Sequence, residues 1–238
     1  MLRILRKSLK TGIVTEAYPL DGNTPAPGFR GLPVWQRENC VKCGKCAAQC
    51  PTRAIVWSGR TDTWEIDSKS CIFCGYCEDV CAYQAFRQGS DYALAITNTQ
   101  VNKIFGRSVN IRHLDAGSCN GCEWEMASLN GPVYDIQRLG FDFVASPRHA
   151  DLLMVTGPVT RNLEIAVKKT YAATPAPKLV VAVGACACSG GICGRSYTSA
   201  GGVDNILPVD TFIPGCPPRP QALIAGLLQA VSRLQKPS

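Results

Sequence analysis

The spacing of apolar residues changes about halfway along the chain. In the second half they come as short continuous runs, at Val109–Leu114, Leu152–Val155, Leu179–Val183 and Thr211–Ile213. Runs of this length predict strands buried on both faces of a parallel sheet. Arg161–Ala173 and Arg219–Gln235 lie between or after them with a helical pattern. Pro217, Pro218 and Pro220 suit entry to the last helix, because proline tolerates the first turn and breaks the interior. Strands alternating with helices predict an open, doubly wound α/β sheet. At the other end, Leu2, Leu5, Leu9 and Ile13 recur at helical spacing, with Arg3, Arg6, Lys7 and Lys10 elsewhere on the wheel. That pattern predicts a short basic amphipathic helix suited to an anionic lipid surface or a membrane subunit, against the plainer reading of a frayed tail.

The first half has no such runs. Its order is set by cysteine. The segment CVKCGKCAAQCPTRAI (Cys40–Ile55) returns as CIFCGYCEDVCAYQAF (Cys71–Phe86), at an offset of 31 residues. Each copy reads C-x2-C-x2-C-x3-C, a spacing in which three thiolates grip one cubane and the fourth ligates the other cluster. One set is therefore Cys40, Cys43, Cys46 and Cys81, and the other is Cys71, Cys74, Cys77 and Cys50. Gly44 and Gly75 follow the second Cys of each loop, where the turn calls for a positive φ. Pro51 follows the fourth Cys of the first copy; Ala82 stands there in the second, a departure expected to alter the turn around Cys81. Zinc sites use separated C-x2-C pairs with four ligands per ion, a poorer match to three close cysteines plus a fourth, twice over. Two such units are expected to pack about a pseudo-twofold axis around one small core.

The chain holds 14 Cys in 238 residues, a share high enough to dominate its chemistry. The longest largely apolar run, Ala222–Val231, is about half of what a bilayer requires, and the basic residues near the start interrupt any secretory h-region. The expected compartment is reducing, where many cysteines point to metal rather than to disulfides. The formal charge of +7 would otherwise suggest nucleic acid. Three cubanes at about −2 each would bring it to roughly +1, so the basic excess balances metal centres. No dinucleotide fingerprint or phosphate loop is present.

The remaining six cysteines begin at Cys119. Cys119 and Cys122 sit in DAGSCNGCEWE (Asp115–Glu125), Cys186 in GACACSGG (Gly184–Gly191) and Cys216 in PGCPPRP (Pro214–Pro220). Each segment follows the carboxyl end of an expected strand, and in an open α/β sheet those ends meet in one crevice. Four thiolates there make a soft-ligand site for iron–sulfur or zinc. Cys188 competes with Cys186, and otherwise Cys188 and Cys193 read as small buried fillers. Glu123 and Glu125 read as a solvated helix face or as capping, with Glu125 also a candidate for proton passage. Arg148 and His149 are placed in a loop near the crevice, and His113 is isolated from any other metal ligand.

Residues 1–95, with CIFCGYC and the upstream PGFRG (Pro27–Gly31), resemble the two-cluster ferredoxin subunit of respiratory complex I and related membrane-bound hydrogenases. Residues 108–235, with CxxCxxE, GxCAxxGG, PGCPPRP and SPRHADLLMVTGPVTRN (Ser146–Asn162), resemble the small subunit of [NiFe] hydrogenases and its homologue, the complex I 20 kDa subunit. The resemblance implies a third, proximal [4Fe-4S] cluster on Cys119, Cys122, Cys186 and Cys216, facing a large subunit. Complex I subunits place the first two of these ligands side by side; Asn120 and Gly121 separate them here, which favours the hydrogenase branch, although a sulfur-reducing branch keeps the same spacer.

The expectation is an α+β / α/β chain. Residues 1–30 form an N-terminal amphipathic segment, 31–98 a two-[4Fe-4S] ferredoxin domain, and 99–238 a flavodoxin-like doubly wound domain of small-subunit type. With three [4Fe-4S] clusters it would relay electrons between a donor protein and the nickel–iron site of a hydrogenase large subunit, holding no complete catalytic site itself. Membrane-arm subunits are further implied partners, nucleic acid is not, and the implied location is the cytoplasmic face of the inner membrane. The alternatives are a complex I-like quinone- or sulfur-reducing assembly and, from a different class, a zinc-stabilised binding module.

Overall fold

A computed structural model of the chain describes residues 2–20, 24–98 and 108–231. The first element is the helix α1 (Leu2–Thr11), all of whose residues are exposed. Its apolar stripe is therefore left exposed to solvent. The segment after it is tied down: Thr15 donates its hydroxyl to the Pro132 carbonyl, and Arg138 donates to the Glu16 and Tyr18 carbonyls.

The duplicated unit repeats its sequence offset in three dimensions. Strand β1 (Val34–Trp35) pairs antiparallel with β4 (Phe86–Arg87), and β2 (Ile55–Ser58) pairs antiparallel with β3 (Thr63–Ile66). Trp35 faces Phe86 in the first pair and Ile66 faces Ile55 in the second, the same register after the 31-residue exchange. Helices α2 (Lys45–Ala48) and α3 (Tyr76–Asp79) obey the same exchange. The small core is built from equivalent pairs, Cys46 with Cys77 and Ile55 with Phe86, against Trp35, Trp64 and Ile66. So small a core buries little apolar surface by itself.

The second unit is a six-stranded sheet in the order β5-β10-β9-β8-β6-β7. Its members are β5 (Ile96–Thr97), β6 (Val109–Asp115), β7 (Phe141–Phe143), β8 (Leu152–Thr156), β9 (Leu179–Val183) and β10 (Thr211–Ile213). All pair in parallel except β5, which runs antiparallel along the edge of β10. Every residue of β8, β9 and β10 is buried, which explains their unbroken apolar runs. Alternate residues serve two cores. Leu152, Met154, Val181 and Val183 face one side, against α4 (Gly121–Ser128) and α7 (Pro220–Ala230). Leu153, Val155, Val180 and Ala182 face the other, where Val167 of α5 (Glu164–Ala173) and Ala187 of α6 (Gly184–Ser189) pack. From β7 to β10 the order is 2-1-3-4-5, with its switch point between β6 and β8.

Two short strands carry no signal in the sequence. β7 has only three residues and is defined by pairing with the start of β6. β5 lies on the ferredoxin side of the expected boundary near 98 yet completes the large sheet, covering the edge of β10. The residues just past that boundary, 99–107, lie outside the described ones.

Candidate metal centres

In the first unit, Cys40, Cys43, Cys46 and Cys81 line one cavity. Cys50, Cys71, Cys74 and Cys77 line another. Each cavity thus takes three thiols from one copy and the fourth from the other. The local backbone explains why. Gly44 and Gly75 adopt φ of 73° and 81°, turning each chain from loop into short helix. The Lys42 and Phe73 amides each approach the Cys Sγ two residues back at 3.4 Å, and the Ala54 and Ala85 amides approach Cys50 and Cys81 Sγ at 3.3 Å. Sulfur atoms are therefore ringed by oriented N–H donors, the setting that stabilises thiolate bound to iron. The expected change of turn at Ala82 does not occur. Arg53 and Gln84 take φ of 55° and 52°, and their amides bond to the Cys50 and Cys81 carbonyls alike. The hydrogen bond after the fourth cysteine, rather than the proline ring, fixes that turn.

Burial pushes the Cys71 thiol up to about 11 and the Cys77 thiol up to about 12, with neighbouring thiols adding to it. Metal must displace those protons on binding. Cys40 differs. Burial works against its ionisation, yet its thiol lies below the ordinary value because the Trp35 and Trp64 indoles and the Lys42 amide act on it.

The second unit brings Cys119, Cys122, Cys186 and Cys216 together beyond the carboxyl ends of β6, β9 and β10. The Cys122 thiol is raised by burial first, then by Glu123 and by Cys186, Cys119 and Cys216. Burial and the nearby Cys216, Cys193 and Cys119 push Cys186 up to about 11. The backbone is cut to fit these sulfurs. Gly184 has φ +84°, and a Cβ there would lie 2.5 Å from Cys122 Sγ; one on Gly191 would lie 3.0 Å from Cys186 Sγ. Asp115 holds the ligand loop by accepting the Gly117 and Ser118 amides at 2.9 and 2.8 Å.

Cys188 is turned away, buried in the core on the α5–α6 side with its thiol on the Ala182 carbonyl. Cys193 is exposed, not a buried filler, because the loop after α6 carries it out to solvent. Arg148 and His149 are exposed at the level where β6 begins, since Val144 and Asp151 donate to the Ile111 and Asn110 carbonyls. They lie at the opposite end of the sheet from the crevice. Glu123 is no solvated face. It accepts the Thr156 hydroxyl, stands 3.4 Å from His113 Nε2, and leaves its Oε2 buried without a partner. Thr156 gives no signal of this in the sequence, because its role exists only where β8 passes α4. The Glu125 carboxyl is raised by burial, opposed by Arg219.

The two units meet beside these ligands. The Cys216 thiol is raised by burial and by Cys119 and Cys74, which places the second cysteine set of the ferredoxin unit next to the third. Ser189 donates to the Lys69 carbonyl, and Lys69 Nζ stands 4.0 Å over the Phe212 ring. A cavity of about 280 Å³ opens along this seam, with Phe29, Arg30, Phe73, Tyr92, Cys216 and Arg219 among its walls. Arg219 is stacked over both Tyr92 and Phe29.

Twelve thiols in three groups of four are soft donors for iron–sulfur or zinc. Among the described residues, no three Cys, His, Asp or Glu side chains converge closely enough to share one metal ion. The first two sets each line a cavity.

Residues 119–230 match the family described as NADH ubiquinone oxidoreductase, 20 Kd subunit, and residues 39–85 match a 4Fe-4S dicluster domain. The chain is 47% identical over 137 residues to a probable membrane-bound hydrogenase subunit of Pyrococcus furiosus, spanning 58% of this chain and 82% of that protein. It is 40% identical over 146 residues to formate hydrogenlyase subunit 7 of Escherichia coli, covering 61% of this chain and 57% of that one. It is 50% identical over 117 residues to an NADH-quinone oxidoreductase subunit of Clostridium beijerinckii, covering 49% and 69%.

Proposed function

The chain belongs to the NADH ubiquinone oxidoreductase 20 kDa subunit family, joined here to a 4Fe-4S dicluster domain, and from that membership we propose that it holds three [4Fe-4S] clusters as the electron-relay subunit of a membrane-bound [NiFe] hydrogenase complex. It is an oxidoreductase subunit that transfers electrons through iron–sulfur groups. The observation that carries the ligand assignment is the exchange of fourth cysteines between the two ferredoxin cavities, Cys81 into the first and Cys50 into the second. The third set is Cys119, Cys122, Cys186 and Cys216. When bound, such clusters supply one-electron redox chemistry at potentials set by their surroundings.

The residues of this chain hold, space and shield those groups. Phe73 of the second cysteine loop and Cys216 wall the same seam cavity, so we read the second and third ligand sets as neighbours and the first as the outermost. Docking of a partner over the third set is supported by exposed apolar side chains close to its ligands in sequence: Trp124 is 78% exposed and Ile192 67%. We assign that surface to the hydrogenase large subunit, which would carry the nickel–iron site. The unpacked helix α1 is assigned to the membrane-arm subunits or the lipid beside them, on the cytoplasmic face of the inner membrane. Among the described residues no helix is long and apolar enough to cross a membrane. A donor protein would engage the outermost ferredoxin cavity.

One observation favours a second reading. The 50% identity with an NADH-quinone oxidoreductase subunit is compatible with a quinone- or sulfur-reducing assembly built on the same sites. The Cys119-Asn120-Gly121-Cys122 spacing favours the hydrogenase reading. The test is to purify the complex anaerobically and measure iron, acid-labile sulfide and hydrogen evolution from reduced dye. About 12 iron per chain is expected from three cubanes. About eight would remove the third site, and a full complement without hydrogen evolution would favour the second reading.

A further inference from the structure

The two ferredoxin cavities are built by the same 31-residue exchange, and their backbone donors match pair for pair. Their side-chain donors do not. Among the described residues, the indole nitrogens of Trp35 and Trp64 are buried and complete no hydrogen bond. Trp64 lines the first cavity together with Cys40 and Cys81; Trp35 does not line it but packs behind it against the same small core as Cys46 and Trp64, and both indoles act on Cys40. Trp57 holds the two rings edge-on, at 6.5 Å from Trp35 and 5.0 Å from Trp64 between centroids. A buried N–H without an acceptor is costly, so its presence beside a ligand cavity points to an acceptor that belongs there.

The exchange shows what the second cavity has instead. Trp35 corresponds to Ile66, and Trp64 corresponds to Pro33. Ile66 and Pro33 both line the second cavity. Neither side chain can donate a hydrogen bond, and proline lacks even its backbone N–H. The exposed cations do not restore the balance in either direction: Lys42 is ion-paired with Asp62 at 2.7 Å near the first cavity, and Arg30 donates to the Cys74 carbonyl near the second. Gln88, whose amide also lacks a partner, packs on Gly75 but does not line the second cavity.

We propose that Trp35 and Trp64 donate their indole N–H groups to the sulfur of the group bound at Cys40, Cys43, Cys46 and Cys81, making this the more oxidising of the two duplicated sites. Donors to cluster sulfur favour the reduced, more negative state and raise its potential. Of the two duplicated sites, an electron shared between them at equilibrium then occupies the one at Cys40 rather than the one at Cys71. Trp35 and Trp64 act here only through the sulfur they donate to, and supply no ligand themselves. This inference rests on the assignment of two clusters to the ferredoxin unit.

The experiment is an EPR-monitored redox titration of the intact complex, with each signal assigned by its loss in Cys40→Ser or Cys71→Ser. The first-site signal should titrate at the higher potential. Trp35→Phe with Trp64→Phe should lower its reduction equilibrium constant about tenfold, which is about 59 mV for a one-electron couple, and leave the second-site signal in place. The unmutated chain gives a check free of folding effects: labelling the tryptophan indoles with nitrogen-15 should produce a pulsed-EPR coupling on the first-site signal and none on the second. Two signals with unmoved midpoints and no such coupling would overturn the indole inference while leaving the cluster assignment intact. Iron and sulfide sufficient for fewer than two clusters in this unit would instead overturn the assignment.

Discussion

Gly184→Ala should empty the third cysteine set and spare the other two. Gly184 holds φ +84°, a conformation that costs an alanine about 1–2 kcal/mol. The greater effect is steric. The new methyl would lie 2.5 Å from Cys122 Sγ, with the Gly215 carbonyl oxygen 3.5 Å away. Non-bonded contacts settle near 3.5–4.0 Å, so the sulfur or the backbone must move by about 1 Å. A ligand constellation tolerates about 0.5 Å. Cys122 is half-buried, with its thiol toward the Val183 carbonyl, so moving the sulfur also disturbs the end of β9. Gly121→Ala is the matched control. It stands next to the same ligand, but its added methyl would meet nothing closer than Cys119 Sγ at 3.6 Å, at the start of helix α4. Iron should fall by about four per chain in Gly184→Ala and stay unchanged in Gly121→Ala. Anaerobic iron and sulfide analysis with low-temperature EPR reads both. Full iron and an intact third signal in Gly184→Ala would refute the fit argued for this crevice; loss of all signals would show that the two units do not hold their groups independently.

Cys216→Ser should remove the third signal and dye-driven hydrogen evolution together, with the ferredoxin signals retained. Loss of the ferredoxin signals with the third spared would reverse the assignment. Cys81→Ser, although it lies in the second motif, should damage the signal assigned to Cys40, Cys43 and Cys46, because Cys81 lines their cavity; damage to the Cys71 signal instead would refute the exchange of fourth ligands. Deleting Met1–Lys10 should lower recovery in the membrane fraction more than tenfold. The segment's four basic residues contribute up to about 1 kcal/mol each at an anionic leaflet, and its removal takes away an exposed apolar stripe. Dye-driven activity should persist, and unchanged membrane recovery would make the helix a tail.

The sheet of the second unit is legible in the sequence because its strands are buried on both faces. Leu179–Val183 and Thr211–Ile213 stand where their apolar runs place them, and Leu152 begins β8. What escapes lacks a local signal. β7 is three residues long, and β5 two, so neither offers a period to count; each exists because a longer strand leaves an unpaired edge beside it. The final helix reads as expected through Ala230, and residues 232–238 lie outside the described ones. Proximity in sequence to β8 suggests a place near the crevice for Arg148 and His149. The parallel sense of the sheet instead sends the loop before a strand to the far end from the loop after it. Glu123 reads as solvated because its helix starts at a loop, whereas β8 brings Thr156 up to its carboxylate.

The ferredoxin unit shows where reading by similarity stops. Aligning the copies keeps four cysteines, a glycine and an alanine, and those positions suffice to set ligands, turns and register. Everything they fix is symmetric: matching amides on matching sulfurs, and equal strand pairings. Two clusters in identical surroundings would have the same potential, and an electron would gain nothing by choosing between them. Within the duplicated unit itself, a difference between the pair comes from positions where the copies disagree. Of these, Val41 with Ile72 changes little, and Lys42 with Phe73 adds a cation already paired to Asp62. Trp35 with Ile66 and Trp64 with Pro33 change whether a buried donor exists at all. The residues that identify the motif and the residues that differentiate its copies are therefore separate sets, and only the fold brings Trp64, Pro33 and Ile66 to the cavity walls and packs Trp35 behind them.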